Sequence, residues 1–289
     1  MFLKLKFPLF LVAVLFLNAC NENKTGNNQN GNNSPISVAN PTNKVLLRSE
    51  IVWQKLNPAR GDQSPQAGTI WGDRNGEVAT GFLAKFVDGF SSPPHIHNVT
   101  YRAVVIKGAI HNDDPNAEKM WMKPGSFWTQ PQGEAHITAA NGEDNIALVE
   151  IDKGPYLVKP VSESFDNGER PINIDASNVV WLTDEETSWI AKESEAKLSF
   201  LWDDGESIGT FVKLPKGFMG NIETEGTVVH GVVISGELNY VLPQNAVIKT
   251  LDPGSSFSST SKAIHSVSTQ ESEVLLYIRT NGTYKINKQ

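Results

Sequence analysis

The stretch Gly89–Gly108, GFSSPPHIHNVTYRAVVIKG, and its complement Gly125–His136, GSFWTQPQGEAH, decide how this chain of 289 residues is read. In the first, a Ser-Ser-Pro-Pro bend runs into β-branched and aromatic residues. The segment is therefore read as extended, with His95 and His97, two apart, on one face of it. Two imidazoles on one face make half of a metal site. In the second stretch, Pro131-Gln132-Gly133 is a turn that lays the next strand beside the first and supplies a third imidazole, His136.

Working outward, the chain repeats itself. Gly81-Phe-Leu-Ala-Lys85-Phe-Val-Asp-Gly89-Phe90 returns as Gly209-Thr-Phe-Val-Lys213-Leu-Pro-Lys-Gly217-Phe218, a shift of 128 residues that also pairs Trp53 with Trp181 and Gly108 with Gly236. One residue out of that register, Pro124-Gly125-Ser126 meets Pro253-Gly254-Ser255 and His136 meets His265. Two copies are expected, 46–165 and 175–289, joined by the polar stretch Val161–Arg170. Within each, apolar runs are short, β-branched or aromatic, and bounded by Gly, Pro, Asn and Asp. Tyr101–Ile106, Asn145–Ile151, Phe211–Leu214 and Val274–Ile278 are expected as strands, and helical periodicity is confined to Asp184–Lys192. The expected class is all-β, as sandwiches or small barrels.

Composition is globular, with 39% hydrophobic residues and a formal net charge of −7. No basic run breaks the sequence, which excludes a phosphate-tracking surface and so argues against a nucleic-acid partner. At the amino terminus Lys4 and Lys6 precede an apolar run, Phe7–Leu17, too short to span a bilayer as a helix, so residues 1–20 read as a signal peptide. That run ends in Leu17-Asn18-Ala19-Cys20, which resembles a bacterial lipoprotein box, and Cys20 is the only cysteine. Lipidation at Cys20 and a bacterial envelope location are expected. The outer membrane is favoured because Asn21 is not the retention aspartate, with the folded part in the periplasm or at the surface. Residues 21–45, rich in Asn and Gly, are expected to be a disordered tether.

The two quoted stretches resemble the motifs of the cupin family. The first family motif is matched by Gly89, His95, His97 and Gly108, and the second by Gly125, Pro131, Gly133 and His136, with Asn141 one place late. The resemblance implies two tandem cupin (RmlC-like) jelly-roll β-barrels, similar to ChrR-like and related two-domain cupins, with His95, His97 and His136 holding one divalent metal ion. Zinc, iron, manganese, nickel and copper all remain open. The family's glutamate is missing. One count lands on Tyr101 and the other on Arg102, so Tyr101 is a candidate ligand or general acid–base with a lowered pKa, and Arg102 a candidate clamp for a substrate carboxylate. Alternation from Gly108 places Tyr101 inward. Glu134 and Gln130 lie near the same mouth, and His111 is read as a loop residue.

In the second copy the same shift places Glu223 and Glu225 at the His-x-His positions, Val229 at Tyr101 and His230 at Arg102, while His265 is kept. Glu223, Glu225, His230 and His265 form a candidate second metal site. The competing expectation, a degenerate half serving as structure or as a dimer surface, is preferred. Two functions are carried forward. One is a metal-dependent enzyme, of dioxygenase, isomerase or lyase type, acting on a small oxygen-bearing molecule. The other is a non-catalytic metal- or ligand-binding sensor or accessory protein of the envelope.

Overall fold

A computed structural model describes residues 40–289. The signal segment, Cys20 and most of the expected tether lie outside the described residues. The described chain is mostly β-structure, and every pairing between its strands is antiparallel. In the first half, Tyr101–Asp113 and Ile137–Ile151 are long enough to run through both layers of a barrel. They hold one seven-stranded sheet together with Thr80–Phe86, Gln66–Trp71 and Phe127–Gln130. The corner falls where the pairing slips twice, between Val105 and Ala109. Gly108, at φ 78°, takes the left-handed conformation that a side chain would strain there. In the second half the equivalent run is broken at Gly236, φ 79°, into Val229–Ser235 and Leu238–Val241, and two separate sheets of six and five strands face each other.

Alternation along these strands sorts the side chains into three cores. Tyr101, Ala103 and Val105 point into the first barrel with Phe82 and Trp128. The second barrel is filled by residues including Phe218, Ile222, Val229, Tyr240 and Phe257. Val104 and Ile106, on the opposite face, pack with Leu83, Phe127 and Leu148 against Phe211, Val232, Ile234 and Leu275 of the second half. Each such side chain contributes roughly 1.5–3 kcal/mol when fully buried, so the outer faces of the two barrels form a continuous core.

The halves also exchange strands. Lys44–Leu46 pairs with Ser256–Ser258 of the second half, and Ile172–Ile174 pairs with Phe127–Thr129 of the first. This corrects the tether expected to reach residue 45. Asn43 is buried, and its Nδ2 donates to the Tyr240 hydroxyl at 2.7 Å and to the Ile264 carbonyl at 3.1 Å. Polar composition hid a segment whose hydrogen-bonding partners lie some 200 residues away. Asp184–Lys192 is a series of turns, not a helix. Its apolar residues Trp189 and Ile190 cover the second core instead.

A buried ionic cluster closes the edge of the interface. Glu150 and Arg279 are 1% and 7% exposed and face each other at 3.6 Å. The Tyr277 hydroxyl donates to Glu150 at 2.6 Å, and Arg279 reaches Asp152 at 2.8 Å. The Trp202 ring covers Arg102 at 3.7 Å, and reciprocally the Trp71 ring stacks on His230 at 4.3 Å. Gly81 and Gly209 each lie under one of these indoles, where a β-carbon would overlap the ring. Arg279→Met should leave the Glu150 carboxylate buried without its cation and cost about 3–5 kcal/mol of stability in chemical denaturation. Adding Glu150→Gln should recover most of the loss. A single variant as stable as the parent would contradict the role given to this pair.

Candidate metal centre

The strand His95–His97 lies across the barrel mouth, paired on one side with Val158–Pro160. On its other side the His95 and His136 backbones exchange two hydrogen bonds, at 3.1 and 3.0 Å. The Gly133 N–H donates to the His97 carbonyl at 2.9 Å, so the Pro131–Gly133 turn seats the second motif against the first. The potential ligand nitrogens of His95, His97 and His136 all lie within 4.8 Å of one another.

The hydrogen bonds select the tautomer of each ring. Nδ1 of His95 meets the Pro93 carbonyl at 2.9 Å, that of His97 the Leu157 carbonyl at 3.0 Å, and that of His136 the Glu134 carbonyl at 3.2 Å. A carbonyl only accepts, so each Nδ1 carries the proton and each Nε2 presents a lone pair. His136 Nε2 is buried without any partner. Burial, reinforced by the neighbouring imidazoles, lowers the pKa of His97 well below the usual histidine value and that of His136 to about 3; burial also lowers that of His95. Three neutral nitrogen donors converge on one point, and such a donor set fits a divalent transition ion, with positions left for other ligands.

This point forms part of the wall of a cavity of about 630 Å³ that opens to solvent. The lining is mainly apolar, with Phe82, Phe86, Phe90 and Trp128 prominent and no carboxylate among the lining residues. Arg60 is the lining cation, held over Phe90 at 5.0 Å. Tyr156 completes the wall. Its ring stacks on His97 at 4.3 Å, and its hydroxyl lies 3.1 Å from His97 Nε2. Sequence reasoning missed Tyr156 because it belongs to no motif. Phe82, Ala84 and Phe86 alternate along Thr80–Phe86, a signal in the sequence for the cavity-facing side of that strand.

Tyr101 lines the same cavity, with its ring edge-on to His97 at 5.2 Å. Its hydroxyl is engaged elsewhere, donating to Asn112 Oδ1 at 2.9 Å and facing Trp128 Nε1 at 3.5 Å. Burial pushes its pKa up to about 12, against the lowering expected for an acid–base group. Arg102 does not enter the cavity. It is bound to both oxygens of Asp152, at 2.8 and 2.9 Å, and reaches Asp204, so it is an interface residue and not a substrate clamp. Gln130 is buried, accepting from Asn112, and Glu134 faces a separate groove with Phe165 and Arg170. His111 is no loop residue; it lies buried in Tyr101–Asp113, edge-on to Trp121.

The candidate second site is not brought together. Ser91 stands opposite Ala139 and His95 opposite His136, four steps against three. In the second half Met219 stands opposite Ser268 and Ile222 opposite His265, three against three. The first copy thus carries one extra residue before His95, and the inward positions of the second are Ile222 and Thr224. Glu223 and Glu225 share a face, but by the period of two it is the outer one, where Glu225 pairs with Lys262. His230 is held against Trp71 at the interface. His265 has the opposite tautomer, its Nδ1 accepting from the Tyr240 hydroxyl at 2.7 Å, with Ser259 at Nε2. No free lone pair remains on it.

The jelly-roll fold is the one that the motif resemblance implies, and solved structures agree on it. Over 86% of this chain and 88% of the other, it superposes with a TM-score of 0.66 and 13% identity on a "putative dioxygenase" from Nostoc punctiforme. An oxalate decarboxylase from Bacillus subtilis covers 88% of this chain, with 80% of its own length matched, at TM-score 0.52 and 13% identity. Vicilin from hazelnut, Corylus avellana, covers 82%, with 85% of its own length, at 0.54 and 12%. At such identities the likeness is one of fold. Residues 44–287 match the family described as Domain of unknown function (DUF4437), and the chain belongs to that family. No curated protein sequence matches it.

His97→Ala or His136→Ala should lower bound divalent metal to well under half, since two nitrogens seldom retain such an ion through dialysis. Glu225→Ala, on the outer face, should leave metal content unchanged. Elemental analysis of the purified variants reads both, and a loss of metal with Glu225→Ala would overturn the placement of the site.

Proposed function

We propose that the protein is a metal-dependent enzyme, of dioxygenase, isomerase or lyase type, whose substrate is a small and largely apolar molecule presenting an oxygen donor. The observation that carries this reading is the clustering of His95, His97 and His136, of which His95 and His97 line an open, apolar cavity of about 630 Å³. A structural ion is enclosed by its ligands, whereas an ion held here by three imidazoles keeps positions facing a space large enough for a substrate. A bound divalent ion would supply a Lewis acid, or an oxygen-binding centre if it is iron. The chain's own part is to hold neutral donors, exclude water with the Phe82–Phe86–Phe90 wall, and steer an anionic group past Arg60. The alternative, a non-catalytic metal or ligand binder, is favoured by one feature. The Tyr156 hydroxyl beside His97 Nε2 would close a four-coordinate site.

Anaerobic reconstitution with iron(II) and an oxygen-electrode screen of apolar hydroxy and keto compounds tests the enzyme reading in its dioxygenase form. Substrate-dependent oxygen uptake that disappears with His97→Ala supports it. For the isomerase and lyase forms, the same compounds incubated with zinc-, manganese- or nickel-loaded protein are analysed by chromatography. Absence of turnover with every metal supports the binder.

The segment from Lys4 to Cys20 supports placing this activity in the cell envelope, on a lipid anchor. Labelled palmitate should be incorporated by the native chain and not by Cys20→Ser. Continued labelling of that variant would contradict the anchor.

A further inference from the structure

The glutamate that the cupin resemblance would supply to the metal is absent, since Tyr101 and Arg102 occupy the two positions to which it is counted. Neither can take its place. The Tyr101 hydroxyl is held by Asn112 and Trp128 deeper in the barrel, and Arg102 lies outside it between Asp152 and Asp204. A different oxygen stands beside the lone pairs. Tyr156 follows Ile137–Ile151, and its backbone N–H donates to the Arg74 carbonyl at 2.9 Å. Its ring is packed edge-on to Phe82 at 5.2 Å and stacked on His97 at 4.3 Å. The two ring contacts and the backbone hydrogen bond bring the hydroxyl to 3.1 Å from His97 Nε2.

That distance has a meaning in coordination geometry. Ligand atoms bound about 2.1 Å from one ion lie roughly 3.0 Å apart when adjacent in an octahedron and roughly 3.4 Å apart in a tetrahedron. The Tyr156 hydroxyl, which donates to His97 Nε2 at 3.1 Å while no ion is bound, stands at a separation that also falls within this range.

Resting on the metal reading above, we infer that Tyr156 is the fourth protein ligand of the ion held by His95, His97 and His136. Burial raises the Tyr156 pKa well above the usual phenol value, so the hydroxyl keeps its proton until an ion is bound; on binding, the O–H bond would give way to a metal–oxygen bond and the proton would leave to water. Bound in this way, the phenolate would lower the charge of the centre by one.

The test uses the full folded region carrying both barrels, loaded with iron(II) under nitrogen and then oxidised in air. Phenolate bound to iron(III) gives a visible charge-transfer band that imidazole ligands do not. The native protein is expected to show this band at about one iron per chain, and resonance Raman excitation into it should show tyrosinate ring modes. Tyr156→Phe, which keeps the ring stack on His97, should lose the band and bind iron at least ~10-fold more weakly. Tyr101→Phe should keep the band. The Raman measurement needs no variant, so the inference stays testable even if Tyr156→Phe is unstable. One equivalent of iron without the band in native protein, or a band that survives in Tyr156→Phe, would overturn the inference and leave the histidine site standing. Native protein that holds no divalent metal under any loading would overturn both together.

Discussion

Three backbone carbonyls, those of Pro93, Glu134 and Leu157, determine what the first barrel can bind. Each accepts from the Nδ1 of one imidazole and thereby turns the Nε2 lone pair of that ring toward the same point. Burial then keeps the rings neutral, so the site meets an ion with its donors ready and its tautomers chosen. The carbonyls can do this only because the strands carrying them are held in place. Pro93 precedes the His95–His97 strand, Glu134 follows the Pro131–Gly133 turn, and Leu157 precedes the strand that pairs with His95–His97.

The second barrel shows the same architecture with the opposite outcome. Its retained histidine, His265, accepts at Nδ1 from Tyr240, and burial lowers its pKa to about 3. Ile222 and Thr224 stand where His95 and His97 would, and the large side chains of Phe218, Tyr240 and Phe257 fill the interior. This half also builds the contact with the first barrel. It lends an outer sheet face and the Arg279 cluster to the interface, and the two exchanged strands tie each barrel to the other.

Much of this was legible in the sequence. The repeat, the short β-branched runs and the spacing of His95, His97 and His136 carried the all-β class and the triad, because strand alternation and metal coordination both constrain residue spacing directly. The failures have physical causes. Comparing the copies without a gap equated His95 with Glu223, and one additional residue before His95 was enough to exchange the faces. Asn43, Lys44 and Val45 fall in the expected tether because their partners, Tyr240, Ser258 and Phe257, are distant in sequence. Tyr156 reaches His97 through the path of a loop, and no spacing rule encodes that. Tyr101 was placed on the inner face by alternation, but alternation says nothing about where a hydroxyl finds its partner, and Asn112 holds it away from the triad.

The proposed divalent ion belongs on the three Nε2 atoms of the first barrel, and none is expected in the second. Anomalous diffraction from crystals of the metal-loaded protein, collected at the absorption edge of the added metal, tests it most directly. The account predicts a single strong peak per chain, about 2.0–2.2 Å from Nε2 of His95, His97 and His136. A peak at His265 or between Glu223 and Glu225, ligation of the triad through Nδ1, or no peak at the triad in fully loaded crystals would contradict it.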